Sequence, residues 1–229
     1  MLLKIDELTK KFDGETVIND LTYSIEGKFF LTILGSSGCG KTTLLRILSG
    51  VLKPDGGTVR LSSERLAFVF QDDRLIPWIT ARENIEIASP GCDVNGYLRL
   101  VGLEDHGGKY PSQMSGGMKR RLNIARAIAF EPDLILMDEP FNSLDVVMKD
   151  HLLEEIKEIW HERKLSIVMV THDPREAARL STEIMLVRDG FNKTEIVKLE
   201  NPIGRSADDI DTISRRLLER MKEFSSYVQ

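Results

Sequence analysis

Two clusters carry the chemistry available to this sequence. The first is Gly35-Ser36-Ser37-Gly38-Cys39-Gly40-Lys41-Thr42, in which Gly35 and Gly40 bracket four residues and a lysine and a hydroxyl follow. Glycines let the backbone turn its N–H groups inward around phosphate oxygens, and a helix that starts there adds positive potential. In this phosphate-loop pattern Lys41 is expected to reach the β- and γ-phosphates of a nucleotide, and the Thr42 hydroxyl to ligate Mg²⁺. Thr43, next in line, is expected at the same site. Cys39 sits inside the loop, where a helix N-terminus lowers a thiol pKa; a redox role therefore stands beside the plainer reading as a small filler.

The second cluster is Asp138-Glu139, which ends the apolar run Leu134-Ile135-Leu136-Met137 and precedes Pro140. An apolar strand that delivers two carboxylates to its C-terminal edge puts them where ligands bind in open α/β sheets. Asp138 is expected to hold Mg²⁺, directly or through water, and Glu139 to polarise an attacking water as general base.

Both clusters depend on flanking elements. Phe29 to Leu34 is an unbroken apolar run, as expected of a buried central strand, and it feeds the Gly-rich loop. Thr42 to Ser49 reads as a helix stopped by Gly50. Upstream, Leu2 to Leu8 and Thr16 to Ile25 have strand character; Thr58 to Leu61 and Leu66 to Phe70 are further short strands. Residues 80–130 change to helices, from Thr80 through Ala88, from Asp93 to Leu103 and from Gly116 to Phe130. The strand Leu134 to Met137, helix Val146 to Arg163, strand Ser166 to Val170, helix Pro174 to Leu180 and strand Ile184 to Val187 then alternate, which implies a parallel sheet covered on both faces. The tail places Ile210, Ile213, Leu217, Leu218, Met221 and Phe224 on one helical face, with Ser206 and Asp209 as a capping box. The expected partner of that face is the body of the chain itself.

At 229 residues, with 41% hydrophobic and 29% charged residues, the chain can bury a full core as a single domain. A net charge of −5 with no long basic stretch argues against nucleic acid as a partner. Two cysteines make no disulfide framework and fit a reducing compartment. No apolar run approaches the ~18 residues of a membrane span, and the first residues lack a secretory pattern. Such a chain does not enter a membrane unaided, though it can bind something that does.

In this context the residues resemble the ATP-binding subunits of ABC transporters. Ser115-Gly116-Gly117, between the two clusters, is similar to the signature turn of that family; Gln71 resembles its Q-loop glutamine, Ser143-Leu144-Asp145 its D-loop and His172 in Thr171-His172-Asp173 its switch histidine. Phe12 stands where these proteins carry an aromatic under adenine. The resemblance implies an α/β P-loop NTPase core with a parallel sheet, an N-terminal antiparallel β subdomain, a helical subdomain inserted over 80–130 and a C-terminal helix over 204–229. It implies ATP and Mg²⁺ as cofactors and a second copy that completes the site: Ser115 and the Gly117 N–H clamp a γ-phosphate bound to the opposite subunit, Gln71 senses Mg²⁺ and water, and His172 contacts the γ-phosphate and steadies Glu139. Gly116 and Asp145 belong to the same nucleotide set. Met114 and Met118 stand where the family more often has Leu and Gln, and the stretch of about 30 residues from Lys41 to Gln71 is shorter than is typical of it.

The segment Val69-Phe70-Gln71-Asp72-Asp73-Arg74-Leu75-Ile76-Pro77-Trp78-Ile79-Thr80, the form Ser-Gly-Gly-Met-Lys and the tail around Gly204-Arg205 and Arg215 to Leu218 are similar to nitrate/sulfonate/taurine importer subunits. Leu75, Ile76, Pro77 and Trp78 are then expected to line a groove for a membrane permease, the alternative being that Trp78 staples the helical lobe. The implied protein is peripheral to the cytoplasmic face of the membrane and serves, indirectly, a substrate-binding protein. A non-transport ABC ATPase and an exporter-associated one remain as alternatives. The coiled-coil DNA-repair branch is excluded because Met114 stands only 73 positions after Lys41. Asn192-Lys193-Thr194-Glu195 resembles a guanine-reading motif only faintly, and His106, His151 and His161 fall on no motif.

Overall fold

The computed structural model describes residues 1–142, 144–163, 165–188 and 191–225. Ser143 of the expected D-loop and the Phe224 side chain of the expected tail face lie outside the described residues. Strand β1 (Leu2–Phe12) turns into β2 (Glu15–Glu26) through Asp13 and Gly14 at φ of 48° and 88°. A two-residue turn with both φ positive matches the right-handed twist of a hairpin. The strand thus runs past the expected Leu8 and carries Phe12 to its end. β4 (Gly56–Leu61) pairs antiparallel on the other edge of β1, with Leu3 opposite Leu61 and Ile5 opposite Val59. Leu3, Ile5 and Leu8 point inward and are fully buried.

The second sheet has six strands: β3 (Phe30–Gly35), β5 (Leu66–Val69), β6 (Leu134–Asp138), β7 (Ser166–Thr171), β8 (Glu183–Arg188) and β9 (Lys193–Lys198), in the order β5-β6-β7-β3-β8-β9. Five strands run parallel as expected. The edge strand β9 runs antiparallel to β8; only four residues lie between Arg188 and Lys193, too few for the helical crossover that a parallel pairing needs. Register brings Leu34 opposite Thr171, Gly35 opposite Val187 and Asp138 opposite Val170. The C-terminal ends of β3, β6 and β7 therefore meet along one edge.

Side chains of the central strands alternate between two cores, as a period of two requires. Ile135, Met137, Ile167 and Met169 face one cluster, whereas Leu134, Leu136, Val168 and Val170 face the other. The second core also holds Leu44 and Leu45 of α1 (Lys41–Leu48) and the inward side of the β1–β2 hairpin. The first is covered by α2 (Ala81–Glu86), α3 (Val94–Leu100), α4 (Gly116–Ala129) and α5 (Val146–Glu162). Ile85, Leu98, Leu103 and Leu122 of the helical segment share that core with Val69 and Ile135 of the sheet, so these helices have no separate core of their own. The two shorter helices end earlier than expected, and a 3-10 turn over Glu104–His106 follows Leu103.

Helix α6 (Pro174–Leu180) and α7 (Ala207–Ser225) pack together against Leu34, Ile184 and Leu186. Ile210, Ile213, Leu217 and Met221 of α7 join this cluster. Leu218 does not: it stays 41% exposed, about 100° round the helix from Leu217. The capping bonds form at its start, from Asp209 N–H to Ser206 Oγ at 3.1 Å and from Ser206 N–H to Asp209 Oδ2 at 3.0 Å. No helix among the described residues is long and apolar enough to cross a membrane.

Candidate functional site

The Gly-rich loop connects the buried end of β3 to α1, and two of its glycines have steric reasons. Gly40 caps α1 at φ 98°, and a Cβ there would stand 2.7 Å from Val17 Cγ1; one on Gly35 would stand 2.6 Å from the Val187 carbonyl oxygen. Real Cβ contacts do not come so close, so any side chain would force loop and sheet apart. Lys41 is buried, and its Nζ donates to the carbonyls of Gly35 at 2.9 Å and Ser36 at 2.7 Å. The ammonium thus sits against the backbone of the Gly-rich loop. Cys39 is buried with its sulfur 4.0 Å from Lys41 Nζ. Ser36, Ser37 and Gly38 are exposed.

Asp138 comes to this loop from the end of β6. Its Oδ1 accepts a hydrogen bond from Thr42 Oγ1 at 3.0 Å. Burial pushes the Asp138 carboxyl up; the Thr42 hydroxyl works against that and the neighbouring Glu139 carboxylate adds to it. A buried carboxylate held by a hydroxyl is a hard-oxygen donor pair. Mg²⁺ takes such a set, bound through one or two carboxylates together with substrate phosphates and water, and the residues present fit it.

Glu139 follows at φ 47°, a conformation that costs an L-residue about 1–2 kcal/mol. Its N–H donates to Val170 O at 3.0 Å, which continues the ladder while turning the side chain out over the sheet edge. Asn142 Nδ2 donates to Glu139 Oε2, and His172 Nδ1 lies 3.5 Å from Oε1. Both carboxylate oxygens therefore have a neighbour capable of donation. His172 is half-exposed and rides on a firmly held turn. Thr171 Oγ1 accepts from Asp173 N–H at 3.1 Å and donates to Glu176, and Lys149 on α5 binds both Asp173, at 2.7 Å, and Glu176.

Phe12, Val17, Ser37, Gly38, Gly40, Lys41, Thr42, Thr43, Gln71 and Glu139 line one cleft of about 390 Å³. Phe12 is 43% exposed at the end of β1 and lines the mouth of the cleft, with the Lys10 ammonium 5.2 Å from its ring centroid. Gln71 is exposed, and its backbone carbonyl, with that of Phe70, accepts from the Arg120 guanidinium. Gly35 and Ser36 face the opposite side of the loop, toward Leu218 and Met221 of α7.

Ser115, Gly116, Gly117 and Asp145 do not line this cleft. Ser115 caps α4, its Oγ accepting from Met118 N–H at 3.3 Å, and Ser115 and Gly116 are exposed. Asp145 caps α5 in the same way, accepting from Met148 N–H at 3.0 Å, with Val146 and Val147 open to solvent beside it. Trp78 does not staple the helical segment, for it is 78% exposed. Its loop is nonetheless rigid: the fully buried Asn84 binds the backbone of Ile76, Ile79 and Thr80. Leu75 turns inward and packs on the core, so the expected groove lining reduces to Ile76, Pro77 and Trp78.

Val17, Asn142, Arg120 and Lys149 belong to the site or its supports, and no motif marks them. Only Asn142 left a trace, three residues past Glu139 in the turn after Pro140.

The family model described as ABC transporter matches residues 18–142. Over its whole length the chain is 33% identical to the aliphatic sulfonates import ATP-binding protein SsuB of Bacillus cereus, and 99% of that protein is covered. It is 37% identical to the nitrate import ATP-binding protein NrtD of Synechococcus elongatus, over 82% of this chain and 75% of the other. The ATP-binding cassette MJ0796, solved as a dimer in a post-hydrolysis state with ADP and Pi, matches with a TM-score of 0.75 at 30% identity, over 84% of this chain and 97% of that one. Cleft, motif order and relatives agree, and the chain belongs to the ABC transporter family, among its ATP-binding, ATP-hydrolysing subunits.

Proposed function

We propose that this subunit powers import of a small anionic solute, with ATP bound between two copies of the chain and each nucleotide held by the phosphate loop of one copy and the Ser115-Gly116-Gly117 turn of the other. The observation that carries this reading is the division of the site. Phe12, Lys41, Thr42, Gln71 and Glu139 converge on one cleft, while the Ser115 turn opens to solvent away from it at the N-terminus of α4. Exposed N–H groups at a helix start bind anions, and absent side chains on Gly116 and Gly117 allow a phosphate to approach. The solutes named for the relatives, aliphatic sulfonates and nitrate, support the solute class.

In this reading Phe12 stacks on the base, and the loop N–H groups with Lys41 hold the phosphates. Thr42 and Asp138 hold Mg²⁺ with Gln71 beside them; when bound, the ion supplies neutralisation of charge on the phosphate oxygens. Glu139 orients a water and takes its proton, and His172 fixes the direction of the carboxylate. Because ATP touches both copies only when they are closed, its binding favours the closed dimer by that difference in contacts. Hydrolysis removes the bridge. Exposed Trp78, on a loop whose backbone Asn84 holds, is where a membrane permease would dock, placing the dimer on the cytoplasmic face of the membrane, where the permease would in turn serve a substrate-binding protein.

The test is Glu139→Gln. Losing a general base lowers turnover by roughly 10²- to 10⁴-fold, while ATP affinity is kept and an ATP-dependent dimer accumulates in light scattering. Wild-type turnover in this variant would remove Glu139 from its role, and a monomer at saturating ATP would refute the shared site.

A further inference from the structure

Arg120 lies on α4, five residues beyond Ser115, and only 8% of it reaches solvent. A guanidinium so enclosed needs acceptors for its five N–H groups. It finds them on one short stretch of chain: Nη1 donates to Phe70 O at 2.6 Å and Nη2 to Gln71 O, while Nε stands 3.8 Å from Asp73 Oδ1. That oxygen is buried and has no hydrogen bond, so the cation is its compensation. The guanidinium grips the backbone around Gln71 and leaves the Gln71 side chain free toward the cleft. Arg121, about 100° further round the helix, binds elsewhere, donating to Val101 O at 2.7 Å and Gly102 O at 2.8 Å. The helix that presents the Ser115 turn is thereby fastened to the Gln71 segment by one arginine and to the end of α3 by the next.

We propose that Arg120 is a positioning residue, a tie that makes the backbone carrying Gln71 move with α4. The turn that engages the partner copy's nucleotide and the glutamine at this copy's own nucleotide then shift together. The proposal rests on the shared-site reading above. Along the covalent chain Ser115 stands 44 positions after Gln71; through Arg120 the link is two hydrogen bonds and one side chain. A planar fork that holds two successive carbonyls resists both sliding and rotation, which a lysine ammonium does not.

Arg120→Met keeps the length and burial of the stem and removes every donor; Arg120→Lys returns one cation. The full-length variants are compared with wild type by amide hydrogen exchange and by steady-state ATP hydrolysis, with ATP affinity measured separately. In Arg120→Met, exchange over residues 70–74 should speed up by about tenfold or more, the scale of losing buried hydrogen bonds to a charged donor, with β6 and α4 unchanged. The same variant should lose about tenfold or more in kcat while ATP affinity moves by less than about threefold, and Arg120→Lys should fall between. Wild-type exchange over 70–74 overturns the proposal, and so does a loosened segment with unchanged kcat. A parallel loss of protection throughout the chain, ATP affinity and kcat also overturns it, since that marks a merely structural residue. If the wild-type chain hydrolysed no ATP, the function proposed above would fail, and the exchange result alone would decide the tie.

Discussion

Replacing Lys149 by methionine tests whether the turn carrying His172 is held from α5. Lys149 Nζ lies 2.7 Å from Asp173 Oδ2 and also contacts Glu176, with side-chain exposures of 25%, 29% and 4% for the lysine, the aspartate and the glutamate. Removing one partner of a buried pair costs about 3–5 kcal/mol because the other charge is left uncompensated. Two of the three groups keep some water, which puts the expected loss near the lower end, about 3 kcal/mol. At roughly 2–4 °C per kcal/mol for a chain of this size, the melting temperature should fall by roughly 6–12 °C near neutral pH. The pH dependence has a definite sign. Burial already pushes the Glu176 carboxyl up, and the hydrogen bond from Lys149 opposes it. Burial works on Asp173 too, but its bonds from Lys149 and the Arg175 N–H outweigh it and hold that carboxyl low. Without Lys149 both carboxyls rise; Glu176, already above its ordinary value, then holds a proton that the unfolded chain gives up, and its contribution to stability falls as pH rises. The deficit of the variant should therefore be largest near pH 7.5 and shrink toward about pH 5. Wild type differs: the contribution of Asp173 is present above its ordinary pKa and fades as pH falls through its depressed one, whereas that of Lys149, whose bonds to Asp173 and Glu176 outweigh burial and raise it, fades only at alkaline pH. Calorimetric melts across that range check the reasoning. A melting temperature within experimental error of wild type, or a deficit that does not vary with pH, refutes it.

Two further substitutions probe the surfaces at either end of the site. Phe12→Ala removes the aromatic face at the cleft mouth, and a lost stacking contact of about 1–3 kcal/mol should weaken ATP binding roughly 5- to 150-fold; an unchanged dissociation constant by titration discards the stacking role. Trp78→Ala alters a side chain that is 78% exposed, so stability should move by no more than about 0.5 kcal/mol, while co-purification of the membrane partner should be lost. Wild-type yield of that partner would show that Trp78 is not its docking point.

What was legible in the chain is what depends on near neighbours. Gly35 and Gly40 with Lys41 and Thr42, or an apolar run delivered to Asp138-Glu139, work through local backbone geometry and one strand end, so residue type and spacing reveal them. The capping of α4 by Ser115 and of α7 by Ser206 is equally local. Element ends were less visible, because packing chooses where a helix such as Val94–Leu100 stops. The direction of β9 depends on its pairing with β8, which is settled only when β8 is in place. Leu75 and Trp78, three residues apart in an apolar segment, part ways because Asn84 holds the loop between them with one side inward. The approach of His172 to Glu139, the grip of Arg120 on residues 49 and 50 positions away and the bridging by Lys149 arise from strand order and helix packing. Long-range hydrogen bonds such as these leave no periodicity or spacing behind. They form only once the folded chain has brought distant donors and acceptors together out of water.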